Sequence, residues 1–200
     1  VDLNENGDIV VDADGFPQAG EEKVLGQVAP DFQMGFSTGV DWKRLSFNAV
    51  LDWKQGGNMY CGTGFTCDYY GTTQLSADLR EKEEFMFDEP AVKEDGTPND
   101  IMIPGEYAAD YLSVMSDITE SAVHETSYLK IRELALSYNL IKKPQMNLSL
   151  NAFARNLILW TALDGFDPEA SQGNTNMGGG FERFTLPGSS SFGGGITLNF

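Results

Sequence analysis

The chain has 200 residues, of which 41% are hydrophobic and 22% charged, and its formal net charge is −17. A chain this acidic repels nucleic-acid phosphates, so we expect neither DNA nor RNA as a partner. No run of about 18 apolar residues occurs, so the sequence predicts no transmembrane helix. The first residues, Val1 to Asn4, do not resemble a signal peptide, which fits a mature product or a fragment.

Five stretches alternate apolar and polar residues with a period of two, which is typical of strands with one apolar face. In the first, Phe32, Met34 and Phe36 fall on one face. In the third, the apolar positions change phase near residues 132–133, which predicts a β-bulge there. The predicted strands cover about 32–39, 43–54, 128–140, 146–159 and 190–200.

Short and long connections alternate between these strands. The first two strands are joined by residues 40–43, and the third and fourth by 141–145, whereas 55–127 and 160–189 are long. Outer-membrane β-barrels alternate in this way, with short periplasmic turns and long extracellular loops. If the last strand, 190–200, ends in the periplasm, both long connections lie outside the cell.

The acidic residues follow the same division. Residues 1–31 have a net charge of −7, residues 55–127 of −12 and residues 160–189 of −3, while the rest of the chain is net basic. We therefore predict an all-β fold in which residues 32–200 supply antiparallel strands that form one sector of a transmembrane β-barrel. Residues 1–31, 55–127 and 160–189 are its predicted extracellular segments.

A secreted, glycan-binding β-sandwich is the alternative, because it also has alternating strands with one apolar face. A 73-residue connection, 55–127, is unusual between sequential strands of a soluble domain. Five strands are also fewer than the roughly seven of a sandwich. The sandwich predicts one closed core formed by Leu45, Phe47, Leu51, Leu148, Leu150, Ile196 and Leu198.

Four groups of residues carry a family resemblance. They are Val-Val-Asp-Ala-Asp-Gly-Phe-Pro (10–17) with Pro30-Asp31-Phe32 and Gly56-Gly57; Ser-Tyr-Leu-Lys-Ile-Arg-Glu (127–133) with Leu136-Ser137-Tyr138; Ala-Arg-Asn-Leu (154–157) with Gly-Phe-Asp-Pro-Glu (165–169); and Gly-Ile-Thr-Leu-Asn-Phe (195–200). In this order they resemble the C-terminal part of the SusC/RagA family, TonB-dependent transporters of the Bacteroidetes outer membrane. Residues 58–120 match that family only loosely.

The resemblance implies a barrel of about 22 strands around a plug, of which this chain would supply the last five. It implies nutrient uptake of glycans or oligopeptides. Two cysteines and one histidine make no zinc ligand set, and no nucleophile, base and orienting group are recognisable together, so we expect no metal, cofactor or enzymatic activity. The implied partners are a SusD-like surface lipoprotein, the barrel-assembly machinery, outer-membrane lipid and TonB. The plug and the segment that contacts TonB would lie outside this chain.

Charged residues within strands are candidates for lining the substrate path. A charge facing lipid at mid-depth costs roughly 2–4 kcal/mol, so we expect these side chains to face the lumen or a rim. The alternative is a solvated lumen residue with no specific role. The substrate or lumen candidates are Lys130, Arg132, Glu133, Arg155 and Asn156.

Aromatic residues near strand ends and in the long connections are candidates for two other roles. Trp53, Tyr138 and Trp160 could form interface girdles, or they could be ordinary core residues. Loop residues could contact a ligand or partner, or merely anchor the loops, and the Gly-rich stretch 174–180 shares this prediction. The loop or partner candidates are Tyr69, Tyr70, Trp160, Phe166 and Asp167.

The last strand and the two cysteines complete the predictions. Phe192, Ile196, Leu198 and Phe200 resemble the assembly signal of outer-membrane barrels, although any amphipathic final strand has this pattern. Cys61 and Cys67 could form a local disulfide or remain two thiols.

Overall fold

The computed structural model describes residues 1–87, 89–143, 145–172 and 179–200. The strands are β1 Ile9–Val11, β2 Phe32–Trp42, β3 Leu45–Gln55, β4 Asn58–Cys61, β5 Glu84–Phe85, β6 Ala91–Lys93, β7 Ile103–Pro104, β8 Val123–Glu125, β9 Tyr128–Lys143, β10 Met146–Thr161, β11 Phe181–Glu182 and β12 Ser191–Asn199. The α-helices are α1 Gly62–Tyr69, α2 Gln74–Glu81 and α3 Ala108–Met115, and 3-10 helices cover Gly105–Tyr107 and Thr119–Ala122.

The chain forms two compact units. The sheet unit comprises Gln27–Met59, His124–Gly180 and Thr185–Phe200, and the insert unit comprises Val1–Gly26, Tyr60–Val123 and Phe181–Phe184.

The sheet unit is one antiparallel sheet in the order β2-β3-β9-β10-β12, so each long strand pairs with the next one in the chain. All five predicted strands have a counterpart here, with ends that differ by three residues or fewer. Lys43, in the two-residue turn between β2 and β3, has a φ of 57°, the left-handed conformation that tight hairpins use. Pro144, in the predicted 141–145 turn, lies outside the described residues.

Cross-strand pairing gives this sheet one apolar face and one polar face. Because side chains alternate along a strand, a fixed register keeps each row of neighbours on one side. The rows of the apolar face are Trp42-Leu45-Tyr138-Leu150-Ile196, Val40-Phe47-Leu136-Ala152-Gly194, Thr38-Ala49-Leu134-Ala154-Phe192, Phe36-Leu51-Ile131-Leu157 and Met34-Trp53-Leu129-Trp160. The rows of the polar face include Asp41-Ser46-Ser137-Asn151-Gly195 and Ser37-Val50-Glu133-Arg155-Ser191.

The predicted bulge is confirmed at Arg132. On β3, Val50 pairs with Glu133 and the next residue, Leu51, pairs with Ile131, so Arg132 is the extra residue of β9. The bulge brings the two out-of-phase halves of the strand into agreement. It therefore puts Leu129 and Leu134 on the same apolar face.

No closed core forms on the apolar face of the sheet unit. Phe36 is 63% exposed, Ile196 73% and Leu198 52%, and no second sheet of the described residues in this unit covers them. The prediction of one closed sandwich core is therefore wrong, because the seven residues named for it lie in one open sheet that has β2 and β12 at its edges.

The insert unit has a core of its own. Strand β1 pairs in parallel with β6, and β5 pairs with β7. Helix α2 begins where the Thr73 hydroxyl accepts a hydrogen bond from the Ser76 N–H. The buried core consists of Val11, Leu79, Phe85, Phe87, Ile103, Ala108, Tyr111 and Leu112.

This packing differs from the long connections that the sequence analysis predicted for 1–31 and 55–127. Each α-helix has only eight residues, about two turns, so its apolar residues do not repeat often enough to be recognised. The parallel pairing of β1 with β6 joins residues about 80 positions apart, which local patterns cannot indicate.

The charge is divided between the two units. The insert unit holds 22 acidic and five basic residues, which accounts for the whole net charge of −17, whereas the sheet unit holds eight of each. Among the described residues, no helix is long and apolar enough to span a membrane.

Candidate functional site

A fully buried lysine lies on the polar face of the sheet unit. Lys130, on β9, has a side-chain exposure of 0%. Its Nζ donates hydrogen bonds of 2.7 Å to Asp167 Oδ1 and 2.7 Å to Glu169 Oε2. A buried charge requires such partners, because an unpaired ion in the interior costs several kcal/mol.

Arg132 joins the same cluster because the bulge turns it toward the polar face. Its Nη1 and Nη2 donate to the two oxygens of Glu169 at 2.7 and 2.5 Å, and its Nε donates to Asp52 Oδ2 at 3.0 Å. Its Nη2 also pairs with Asp52. Arg132 therefore links two carboxylates that lie on different parts of the chain.

Tyr128 completes the cluster, and Gln33 contacts its edge. The Tyr128 hydroxyl lies 3.0 Å from Glu169 Oε1 and 3.2 Å from Asp52 Oδ2, and Gln33 Nε2 lies 3.3 Å from both Asp52 oxygens. The Lys130 ammonium lies 5.0 Å from the centre of the Tyr128 ring, a cation–π distance. We call Asp52, Tyr128, Lys130, Arg132, Asp167 and Glu169 the ion cluster.

The two loop carboxylates of the ion cluster stay ionised over a wide pH range. Burial is the largest single influence on Glu169 and by itself raises the pKa, but hydrogen bonds and charges from Arg132 and Lys130 outweigh it and lower the pKa to about 2. For Asp167, burial is likewise outweighed by Lys130 and by two backbone N–H donors, so its pKa lies below its usual value.

The ion cluster holds the segment between β10 and β12 against the polar face. Asp167 accepts hydrogen bonds from the N–H groups of Glu169 at 3.1 Å and Gly188 at 2.8 Å. Leu163 and Ala170 in the same segment are 2% and 9% exposed. We call residues 162–172 and 185–190 the strap.

Asn156 holds the other side of the strap. It is in the left-handed conformation, with a φ of 55°, which Asn tolerates better than most residues. Its Nδ2 donates to the Ser189 carbonyl at 3.2 Å, and its own carbonyl accepts from the Ser190 hydroxyl at 2.7 Å. The strap is thus fixed to β9 through the ion cluster and to β10 through Asn156.

A cavity of about 410 Å³ lies between the strap and the polar face. The lining includes Asp167 and Glu169 of the strap and the strand residues Arg132 and Asn156, which hold the strap. The charges of the two carboxylates are largely compensated by the cations of the ion cluster. The cavity is lined by Arg132, Asn156, Asp167, Glu169, Ala170, Ser171, Thr185, Leu186 and Gly188.

The predicted lumen candidates therefore separate into two groups. Lys130, Arg132 and Asn156 hold the strap, and Lys130 is too buried to contact a solute. Glu133 and Arg155 form a 3.0 Å ion pair on the same face and are 41% and 55% exposed. The Arg155 guanidinium also lies 4.9 Å from the centre of the Phe153 ring, a polar-face aromatic that the sequence analysis did not single out.

The predicted loop and partner candidates lie apart from one another. Tyr69 and Tyr70 form an edge-on pair with ring centres 5.0 Å apart, and they are 47% and 71% exposed in the insert unit. Trp160 is 49% exposed on the apolar face, and Phe166 is half-buried in the strap. Asp167 differs from the prediction, because Lys130 occupies its carboxylate. Residues 174–178 of the Gly-rich stretch lie outside the described residues.

The predicted assembly residues all lie on the uncovered apolar side of the last strand. Phe192 and Ile196 are both 73% exposed, Leu198 is 52% exposed and Phe200 is fully exposed. Their role in assembly stays a prediction.

Cys61 and Cys67 are not joined by a disulfide in the structure. Cys61 precedes helix α1 and Cys67 lies six residues later, within it. Six residues of helix span about 9 Å, whereas disulfide-linked Cα atoms are usually within about 7 Å. The pairing of the two thiols would therefore require α1 to unwind.

The sequence motifs flagged part of the ion cluster but not its role. Lys130 and Arg132 belong to the 127–133 motif, and Asp167 and Glu169 to the 165–169 motif. Asp52 was missed, because a single acid in an alternating strand carries no distinguishing signal. Asp52 lies opposite Lys130 in the pairing of β3 with β9. An acidic residue opposite a basic one in neighbouring predicted strands is the signal that could have indicated Asp52.

Two curated relatives resemble the chain along its whole length, and no protein-family model matches it. TonB-dependent receptor P3 of Formosa agariphila is 24% identical over 100% of this chain and 19% of its own length. TonB-dependent receptor P39 of the same organism is 23% identical over 98% of this chain and 18% of its own length. The chain thus spans about a fifth of the length of these relatives. The resemblance to TonB-dependent receptors is confirmed by them at the level of that broad family.

Proposed function

We propose that the chain is the C-terminal part of a TonB-dependent outer-membrane uptake transporter of the SusC/RagA type. The substrates would be glycans or oligopeptides, and a SusD-like surface lipoprotein would cooperate in their capture. The two receptors that resemble the chain support the transporter class, and the four motifs support the finer family.

The observation that carries this proposal is the uncovered apolar face of the sheet unit. Its five rows are apolar except for Thr38, three of them from β2 to β12 and two from β2 to β10, and many of their large side chains are more than one-third exposed. A soluble protein rarely leaves such a large apolar surface in water. Lipid is the environment that would cover it without a second layer of protein.

Aromatic residues border this face at both ends. Trp42 and Tyr138 lie in the first row, and Trp53 and Trp160 lie in the last. The rows are eight residues apart on β3, or about 27 Å along the strand. With a strand tilt of about 40°, that is about 21 Å of height, close to the apolar band of about 25 Å in outer-membrane barrels.

The polar face would line the lumen, and the insert unit would be extracellular. In this proposal Glu133 and Arg155 are exposed to the passage, while Tyr69 and Tyr70 are available to a partner or ligand. TonB and the plug would act through parts of the receptor beyond this segment.

The proposal can be tested with cysteines on opposite faces of one strand. In the receptor that contains this chain, with Cys61→Ser and Cys67→Ser, we would compare Phe36→Cys with Ser37→Cys in native membranes. We expect Phe36→Cys to react with a lipid-soluble maleimide and to resist a charged, water-soluble one. Ser37→Cys, on the polar face, should show the opposite preference.

Equal reaction of both cysteines with the water-soluble reagent would refute the proposal that the sheet unit is part of a membrane barrel. A second check is purification without detergent. A monodisperse monomer in plain buffer that unfolds cooperatively would contradict the proposal, because its apolar face would then be stable without lipid.

A further inference from the structure

The strap does not extend into solvent as a loop between two strands ordinarily does. Its residues Leu163 and Ala170 are nearly buried, and the N–H of Ala162 donates to the Ser127 carbonyl at 2.9 Å. Connecting segments in proteins are usually exposed and mobile, so a buried one requires specific contacts. Here those contacts include the side chains of one lysine, one arginine, one tyrosine and one asparagine.

Lys130 is the centre of these contacts. It reaches both loop carboxylates, Asp167 and Glu169, at 2.7 Å and has no exposed surface. Arg132 repeats the contact with Glu169 through two parallel hydrogen bonds. Lys130 does not itself line the cavity, but it binds Asp167 and Glu169, which do.

The ionic contacts between the strap and β9 do not change over the physiological pH range. The pKa of Glu169 is about 2 and that of Asp167 is also lowered, so neither carboxylate gains a proton in neutral or mildly acidic medium. The charged and titratable groups that face Glu169 are Lys130, Arg132, Tyr128 and, at longer range, Lys54.

We propose that the strap is a fixed, inward-folded element of the passage, and that Lys130 is the positioning residue that holds it there. This inference rests on the proposed function, because only in a barrel does the polar face line a passage. The strap then narrows the route along β9 and β10 and forms one wall of the cavity. A solute there would contact Ser171 of the strap together with Arg132 and Asn156 of the strands.

The test measures the strap directly. Ala170→Cys, in a Cys61→Ser, Cys67→Ser background of the whole receptor, places a nearly buried thiol on the cavity side of the strap. We would measure its reaction rate with N-ethylmaleimide and with a 2-kDa polyethylene-glycol maleimide. Both should react slowly while Lys130 is present, the larger reagent more so.

Lys130→Met should raise both rates by about tenfold or more, because it leaves two carboxylates of the strap without their buried cation. Arg155→Met is the matched control: it removes a cation from the same face whose ion-pair partner, Glu133, is not in the strap. Its rates should equal those of the parent.

Glu169→Gln keeps the proposal testable if Lys130→Met does not assemble. It alters the strap and leaves every strand intact, and we expect a rate increase between those of the control and Lys130→Met. Unchanged rates in both variants would overturn the proposal. So would an equal increase in Arg155→Met, because the effect would then be a general loosening of the sheet.

Failure of the strap proposal is distinguishable from failure of the proposed function. The Phe36→Cys and Ser37→Cys pair reports on membrane placement and is unaffected by the strap. If that pair shows the expected preference while the Ala170→Cys rates do not change, the barrel sector stands and the strap proposal falls. Amide hydrogen exchange of Glu169 and Gly188 in detergent reports on the strap even if the membrane reading fails.

Discussion

Arg132 and Glu169 are joined by two parallel hydrogen bonds of 2.7 and 2.5 Å, although 37 residues separate them in the chain. The pair depends on the β-bulge. Arg132 is the extra residue of β9, and the bulge puts its side chain on the polar face. The planar guanidinium also reaches Asp52 from the same position. One side chain therefore ties strand β3, strand β9 and the strap together.

Arg132→Lys should be costly although it conserves charge. A lysine offers no planar fork and cannot serve Glu169 and Asp52 together, so we expect a loss of about 1–3 kcal/mol in the free energy of unfolding. Arg155→Lys is the control, because its pair with Glu133 is exposed and should contribute less than about 1 kcal/mol. Urea unfolding of the detergent-solubilised protein, followed by circular dichroism, measures both. A similar change in the two variants would contradict the prediction.

The strap should be insensitive to pH until the medium is strongly acidic. Glu169 and Asp167 have lowered pKa values in the folded state, so their contribution is fully present above the ordinary carboxyl pKa of about 4.5. It is lost as the pH falls from about 4.5 toward 2, where Glu169 takes up a proton. Hydrogen exchange at Gly188, corrected for the intrinsic pH dependence, should show constant protection from pH 7 to 5 and a decline below. A loss of protection between pH 7 and 5 would contradict this assignment.

Gly57 should not tolerate a side chain. It has a φ of 82°, and a Cβ would lie 2.8 Å from the Val28 carbonyl oxygen, which is backbone and cannot rotate away. We expect Gly57→Ala to destabilise the sheet unit by about 1–3 kcal/mol. Gly35→Ala, in extended β2 with nothing within 4 Å of the new Cβ, should change stability by no more than about 0.5 kcal/mol. Equal unfolding midpoints for the two variants would show that the strain is relieved.

The two cysteines should differ in reactivity. Burial, and to a smaller extent Glu182, raises the pKa of the Cys61 thiol to about 11, and Cys61 is 2% exposed, whereas Cys67 is half-buried in α1. The thiolate is the reactive form, so iodoacetamide at pH 8 should modify Cys67 first. Mass spectrometry of the labelled peptides checks this. An intact mass two daltons lower than expected would instead reveal a disulfide.

All three tryptophans should report the membrane interface. Trp42, Trp53 and Trp160 lie in the first and last rows of the apolar face, and each is more than 40% exposed. We expect lipids brominated near the headgroup to quench their fluorescence more than lipids brominated near the chain ends. Stronger quenching by deep bromines would place these rows in the middle of the bilayer and contradict the girdle prediction.

The sheet unit was largely predictable, because the alternation of apolar and polar residues that indicates a strand is a local sequence pattern. Alternation of apolar and polar residues indicated all five strands, and the phase change in β9 located the bulge within one residue. Sequential strands then had few alternatives for pairing, since short connections favour adjacent antiparallel neighbours. The strand ends and two further register shifts in the pairing of β9 with β10 could not be predicted.

The insert unit and the ion cluster were not predictable in the same way. The helices are too short for a clear period, and β1 finds β6 across a distance that no local pattern spans. The sequence indicates Lys130 as a charge within a strand and Asp167 as a loop acid, which favours solute or partner contacts for both. Their mutual pairing depends on the strap folding back onto the strand, which is a property of the tertiary structure alone.

The five-stranded sheet has an odd number of strands, and its four junctions are all antiparallel. Its two edges, β2 and β12, therefore run in the same direction. A second copy placed edge to edge in a head-to-tail ring would meet β12 with a parallel neighbour, against the pattern of every other junction. Any wall that closes around this sheet with antiparallel neighbours must supply an odd number of strands, so a closed antiparallel barrel could not be built simply by repeating this chain.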